Sequence, residues 1–232
     1  MQAAELWTRY TDWLRSNVPA AHGNLAPGAG EDRIGSLERL IGCRLPEALK
    51  VIWRLNDGQR VTMLSNHIVK ATPCLPTLSF LSTEMVARVW SEWDALRREL
   101  PRADLENLHR STRSLVDGVV RPLYTSPLWI PLWADPTRPD YIGLDFDPGK
   151  AGRPGQLINF GRNEDDHFQA ASDVEDLLVC LVAEVESGAW LASEMGFGTE
   201  SIPWFGAPRD HFFNALHARW QVRNPRPVRR AR

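Results

Sequence analysis

Cysteine is scarce in this chain: Cys43, Cys74 and Cys180 are the three among 232 residues, and they stand 31 and 106 positions apart. An odd count at such distances offers neither a disulfide framework nor a zinc-ligand spacing, which points to a reducing compartment, the cytoplasm. Long apolar runs are also missing. The longest, Leu177 to Ala183, has seven residues, against the roughly 20 that a membrane helix needs. Glu5, Arg9 and Asp12 interrupt the N-terminal stretch where a secretory leader would be continuously apolar. No internal repeat is visible, and 43% hydrophobic with 24% charged residues fits neither a collagen-like, a coiled-coil nor a wholly disordered chain. A soluble, cytoplasmic globular protein without a membrane partner is expected.

Reaction motifs are equally sparse. Gly143 and Gly149-Lys150-Ala151 come near a phosphate-binding loop, but the spacing is one residue too long and Ala151 has no hydroxyl for magnesium. Asp145, Asp147 and Gly149 imitate the opening of a calcium loop. Lys150, however, stands where that loop needs its sharp-turn glycine, and Gln156 where it needs a bidentate Glu. His22, His67, His109, His167, His211 and His217 are scattered, and no Gly-x-Ser-x-Gly elbow exists. Glu164-Asp165-Asp166 beside His167 can be drawn as an acid–base cluster, but a solvated hairpin tip is the simpler reading. No catalytic residue, metal or cofactor is expected.

What the chain does have is uneven charge and many indole rings. Its net charge is −2, yet Arg219 to Arg232 holds six arginines and no acid, which leaves −8 on residues 1–218. An acidic body repels nucleic acid and attracts basic partners over long range. The basic tail reads first as a solvated, disordered end; a brace on the acidic body and a nucleic-acid or phosphate contact are the alternatives. Pro225 and Pro227 disfavour a continuous basic helix there. Most of the ten tryptophans sit at helical core spacing. Trp129 and Trp133, four apart in one strand, would share a face as core or as a partner-binding platform.

The periodicity predicts an N-terminal helix over 2–17, a Gly/Pro/Ala loop from Pro19 to Gly30, and helical stretches at Leu37–Ile41 and from Pro46 to Asn56-Asp57-Gly58. Short strands are expected at Val61–Leu64 and Leu78–Leu81, with a long helix capped by Ser82 after them. Pro101 to Asp117 reads as helix or loop. Strands follow at Trp129–Trp133, Tyr141–Phe146 and Gln156–Phe160, then an apolar helix capped by Ser172 and ended by Gly188. This order is α+β, without alternating βαβ units. The division expected is one α+β domain over 1–188 and an aromatic-rich extension with the basic tail over 189–232.

Four ordered segments carry a resemblance: Leu45-Pro46-Glu47-Ala48-Leu49-Lys50 leading through Trp53 to Asn56-Asp57-Gly58-Gln59; Leu81-Ser82-Thr83-Glu84; Trp129-Ile130-Pro131-Leu132; and Leu144-Asp145 with Pro148-Gly149, running into Gly155-Gln156-Leu157-Ile158 and the Ser172–Gly188 helix. Together, over about residues 30–188, they resemble the SUKH superfamily, which joins fungal cell-wall assembly regulators to bacterial relatives regarded as toxin-immunity proteins. The resemblance implies a mainly antiparallel sheet flanked by helices, and no catalysis. It also implies that Asp145, Pro148, Gly149, Gly155 and Gln156 shape a turn between two strands.

The leading expectation is a cytoplasmic immunity protein whose acidic body docks on a basic toxin or effector. Asp145, Asp147, Glu164, Asp165 and Asp166 are the expected loop contacts, with Trp133 and Tyr141 as aromatic anchors. The alternative is a regulatory scaffold of the fungal kind.

Overall fold

The computed structural model describes residues 2–61, 71–197, 199–206 and 211–224. Helix α1 (Gln2–Asn17) buries Ala3, Trp7, Tyr10 and Leu14 as one stripe. The Gly/Pro/Ala segment after it is not all loop. Pro19 opens a single turn, α2 (Pro19–Gly23), because its fixed φ suits the first helical position. α3 (Glu31–Ile41) starts earlier than its apolar residues imply and ends at Gly42 in the left-handed conformation. α4 (Glu47–Leu55), the two-residue strand β1 (Ser79–Phe80) and α5 (Thr83–Glu99) follow, and the Ser82 hydroxyl caps α5 by accepting from the Met85 N–H at 3.2 Å. The charged stretch after Pro101 forms α6 (Arg102–Ser111), which buries no residue, and β2 (Arg113–Ser114). Of the expected strand at Val61–Leu64, Val61 lies in a bend and the rest falls outside the described residues.

Strands β3 (Trp129–Ala134), β4 (Asp140–Asp145) and β5 (Gln156–Gly161) are buried along their whole length. With β1 and β7 (Gln169–Ala171) they give a five-stranded antiparallel sheet in the order β1-β3-β4-β5-β7, while β6 (Asp166–His167) pairs in parallel with β2 beside it. The architecture is α+β, as the element order predicts. α7 (Val174–Glu186) is capped one residue later than expected: the Asp173 carboxylate accepts from the Asp176 N–H at 2.8 Å, while Ser172 turns its own N–H to the Asp176 carboxylate.

Trp129 and Trp133 do not share a face. The register of β3 against β4 shifts between Pro131 and Trp133, a bulge next to the one residue in the strand without an N–H to donate. Trp129 therefore packs on Phe160 and His167, whereas Trp133 turns to the opposite layer with Phe80, Trp7, Leu49 and Leu177. On one side of the sheet lie α1, α4 and α7. On the other lies α5, whose Trp93 meets Tyr141 edge-on.

The segment beyond Gly188 returns to this core. It forms the hairpin of β8 (Ala192–Phe197) with β9 (Glu200–Phe205), then α8 (Phe212–Arg223). Trp190, Phe205, Phe212 and Leu216 are buried in the same cluster as the body, and Phe205 stacks on Trp13 of α1. The start of α8 is held by His211, whose Nε2 lies 3.1 Å from the Asp135 carboxylate.

Two tail arginines brace the body, contrary to the reading of a solvated end. Arg219 and Arg223 donate to the Asp176 carboxylate at 3.1 and 2.8 Å, and Arg226, Arg229, Arg230 and Arg232 lie outside the described residues. The hydrogen bonds of Arg223, above all, hold the Asp176 carboxyl well below the usual carboxylate range. A group whose folded-state pKa is depressed stabilises the fold above its unfolded value and loses that contribution as pH falls. Asp176→Asn is expected to loosen α8 by about 1–2 kcal/mol, read as faster amide exchange in residues 212–223. The wild type should begin to loosen in the same way as pH falls below about 4, and equal exchange in both proteins at neutral pH would contradict the brace.

Candidate functional site

The acidic contacts expected from sequence do not assemble into a docking face. Asp145 is wholly buried. Its Oδ1 accepts from the indole N–H of Trp129 at 2.9 Å and the Asp147 N–H at 2.8 Å, and its Oδ2 from the Gln156 amide at 2.9 Å. Gln156 also donates to the Val119 carbonyl and accepts from Gln169. Burial pushes the Asp145 carboxyl above the ordinary aspartate value, while these donors pull it down. Gly155 donates its N–H to the Asp145 carbonyl at 2.7 Å. Gly149 passes so close to Gly118 that an added Cβ would lie 2.1 Å from the Gly118 carbonyl oxygen. Pro148 lies in the same turn, its Cβ 2.8 Å from where a side chain on Gly152 would start. Trp133 and Tyr141 are corrected likewise, being 4% and 6% exposed and committed to the core.

The other acids are mostly neutralised in place. Asp147 pairs with Arg121 and accepts from Ser126. Asp166 forms a two-pronged pair with Arg113, which holds its carboxyl below the usual value. Glu164 is half-buried against the Asn159 amide, and burial, with Asp140 nearby, pushes it up to about 7. Asp165 is exposed, with no ion pair among the described residues.

A different set of motif residues gathers around a surface groove. Asp57 is 3% exposed; its Oδ1 accepts from the Thr83 N–H at 2.7 Å and its Oδ2 from the Thr83 hydroxyl at 3.0 Å, so it caps α5 from a distant segment. Asn56 accepts from the Trp7 indole at 2.9 Å and donates to the Ala26 carbonyl at 2.8 Å. Gln59 accepts from the N–H groups of Cys74 and Phe80, both at 3.0 Å. Gly58 has φ +67° and abuts Leu81 and Ser82, where any side chain would clash with backbone. These bonds lay residues 25–30 along residues 53–58 as a wall: Ala26 donates to Gly58, Ala29 to Trp53, and Asp57 back to Pro27.

Beside that wall three depressions follow one another. The first, about 430 Å³, lies between α3 and α5 on Leu37, Leu40 and Ala87, rimmed by Asp32 and Glu84. It shares Arg33 and Glu84 with a middle one of about 450 Å³ whose lining includes Asp57 and Gln59. That one shares Ala26, Pro27 and Arg60 with a third of about 410 Å³, which Arg15 and His22 also line. Sequence reasoning quoted Asn56–Gln59 but missed Arg33, Leu40 and Arg60. Leu40 was the available signal, an aliphatic residue one position outside the buried stripe Ile34, Leu37 and Ile41 and 45% exposed.

Two outcomes follow. Asp145→Ala removes the acceptor of three hydrogen bonds, two of them buried, and is expected to cost about 3 kcal/mol in denaturant unfolding, while Asp145→Asn, which keeps one acceptor, should cost markedly less; equal small losses would contradict the network. For Glu164 the folded state holds its proton more tightly than the unfolded chain. Its stabilising effect is therefore complete below the ordinary glutamate value and vanishes as pH rises through about 7. Glu164→Gln should flatten the fall in melting temperature across that interval, and an unchanged slope would refute the assignment.

Among known proteins, the model of the SMI1 / KNR4 family (SUKH-1) matches residues 28–179. The chain is 28% identical over 214 residues to "Cell wall biosynthesis/cell cycle regulator smi1" of Schizosaccharomyces pombe, covering 90% of this chain and 41% of that protein. It is 23% identical to "Glucan synthesis regulatory protein" of Neurospora crassa, over 82% of this chain and 40% of that one. It is 21% identical to "Cell wall assembly regulator SMI1" of Saccharomyces cerevisiae, over 79% of this chain and 40% of the yeast protein. The chain thus spans about two fifths of the length of these relatives. They are named as regulators and not as enzymes. They overturn the expectation of an immunity protein with a toxin partner and favour the fungal alternative; the motif residues Asp57 and Asp145 are spent on the fold and so carry no signal of the partner. By the extent of the family match, the chain belongs to the SMI1 / KNR4 family (SUKH-1).

Proposed function

We propose that this chain is a non-catalytic regulatory module of the cell-wall assembly and glucan synthesis type, acting by holding a protein partner. The observation that carries the reading is the similarity, over 79–90% of the chain, to two proteins named as regulators of cell-wall biosynthesis or assembly. The chemistry of the motif residues supports the non-catalytic part. The carboxylates of Asp57 and Asp145 are held by donors that fasten one chain segment to another, so they are committed to the fold. The cytoplasm is the assigned compartment, in keeping with three unpaired cysteines. Among the described residues no helix is long and apolar enough to cross a membrane.

The reading is tested by replacing the matching segment of the Saccharomyces cerevisiae relative with this chain, in cells that lack that relative. The chimera is expected to restore growth on a wall-binding dye and normal wall glucan content. A chimera that accumulates yet performs no better than an empty vector would overturn the proposal.

A further inference from the structure

We infer that the three-part groove receives an extended peptide that carries carboxylates at one end and an aliphatic or aromatic anchor at the other. This rests on the reading of the chain as a partner-binding regulator and names the chemistry of the partner.

Charge separates along the groove. At one end Arg60 uses its Nε–H on the Leu25 carbonyl at 3.0 Å, and has no carboxylate partner among the described residues. Arg15 stands beside it with one exposed partner, Asp12, at 3.0 Å. In the middle Arg33 reaches the buried Asp57 at 3.4 Å from a largely exposed position. At the other end the surface turns apolar at Leu37, Leu40 and Ala87, and the flanking Asp32 and Glu84 have no ion pair among the described residues. A ligand complementary to this pattern places acids against Arg15 and Arg60 and seats one apolar side chain on Leu40. A cation next to that anchor would face Asp32 and Glu84.

The shape points the same way. Three depressions in a row, each sharing lining residues with the next, suit an extended strand of peptide better than a compact molecule. The wall is pinned by the backbone hydrogen bonds of residues 26, 29 and 57, so little ordering is needed when a ligand enters.

The test is selection of a displayed library of random peptides on the purified full chain, followed by fluorescence polarisation with a labelled synthetic copy of the enriched sequence. Acidic residues at one end and Leu, Ile, Phe, Met or Trp at the other are expected. Arg60→Glu and Leu40→Asp should each weaken binding about tenfold or more, and added salt should weaken it further. Leu191→Asp, at a position 63% exposed on the turn into the hairpin, should leave it unchanged. Circular dichroism melting confirms folding of each variant, with Arg60→Gln as a milder substitute. Absence of enrichment, selection of basic or uncharged peptides, indifference to both groove substitutions, or a dimer in sedimentation that Leu40→Asp dissolves would each overturn the inference. A working wall chimera with no peptide selected sinks this inference alone. A failed chimera with peptides bound in the groove sinks only the regulatory reading.

Discussion

A carboxylate taken out of water must find donors, and in this molecule the buried acids Asp57 and Asp145 find them on other segments of the chain. Asp57 binds the N–H and hydroxyl of Thr83, and so fastens the end of α4 to the start of α5. Asp145 binds the Trp129 indole and the Gln156 amide, and so fastens β4 to both neighbouring strands on one face of the sheet. Each acid costs desolvation that only the correct register repays. This makes them pins for the fold: a slipped strand or a shifted helix would leave a buried charge with nothing to hold it.

The groove is a by-product of the first pin. Because Asp57 turns inward to cap α5, and Asn56 and Gln59 spend their amides on the surrounding backbone, the segment 53–58 becomes a support for residues 25–30. The space left between that wall, α3 and α5 stays open, with arginines at one end and Leu40 at the other. Fold-determining and surface-presenting roles thus fall on adjacent residues of one motif.

The brace at the other side of the molecule works by the same physics in a wetter setting. Asp176 lies in the first turn of α7, where the helix already favours a negative charge, and it gathers two arginines from α8. The C-terminal segment is thereby drawn over the core, with Phe205, Phe212 and Leu216 completing the apolar interior that α1 and α7 begin. Part of the body's acidity is spent on its own tail. That is one reason why the summed charge of residues 1–218 is a poor guide to what their surface offers a partner.

The helices α1, α5 and α7 and the strands β3 to β5 were legible from apolar spacing, cap residues and turn residues, since those are local properties that each segment carries alone. The α+β class followed from their order, and the ordered motifs led to the right superfamily. Beyond local range the sequence was silent. It did not reveal the bulge at Pro131 that sends Trp133 away from Trp129, nor that Asp145 faces inward, because both depend on what lies across the sheet. It could not show that Asp147 and Asp166 meet Arg121 and Arg113, partners 26 and 53 residues away. Nor could it show that Arg33, Leu40 and Arg60 line one groove. Periodicity and capping are settled between near neighbours; which charges remain available to a partner is settled only after distant segments have met and cancelled one another.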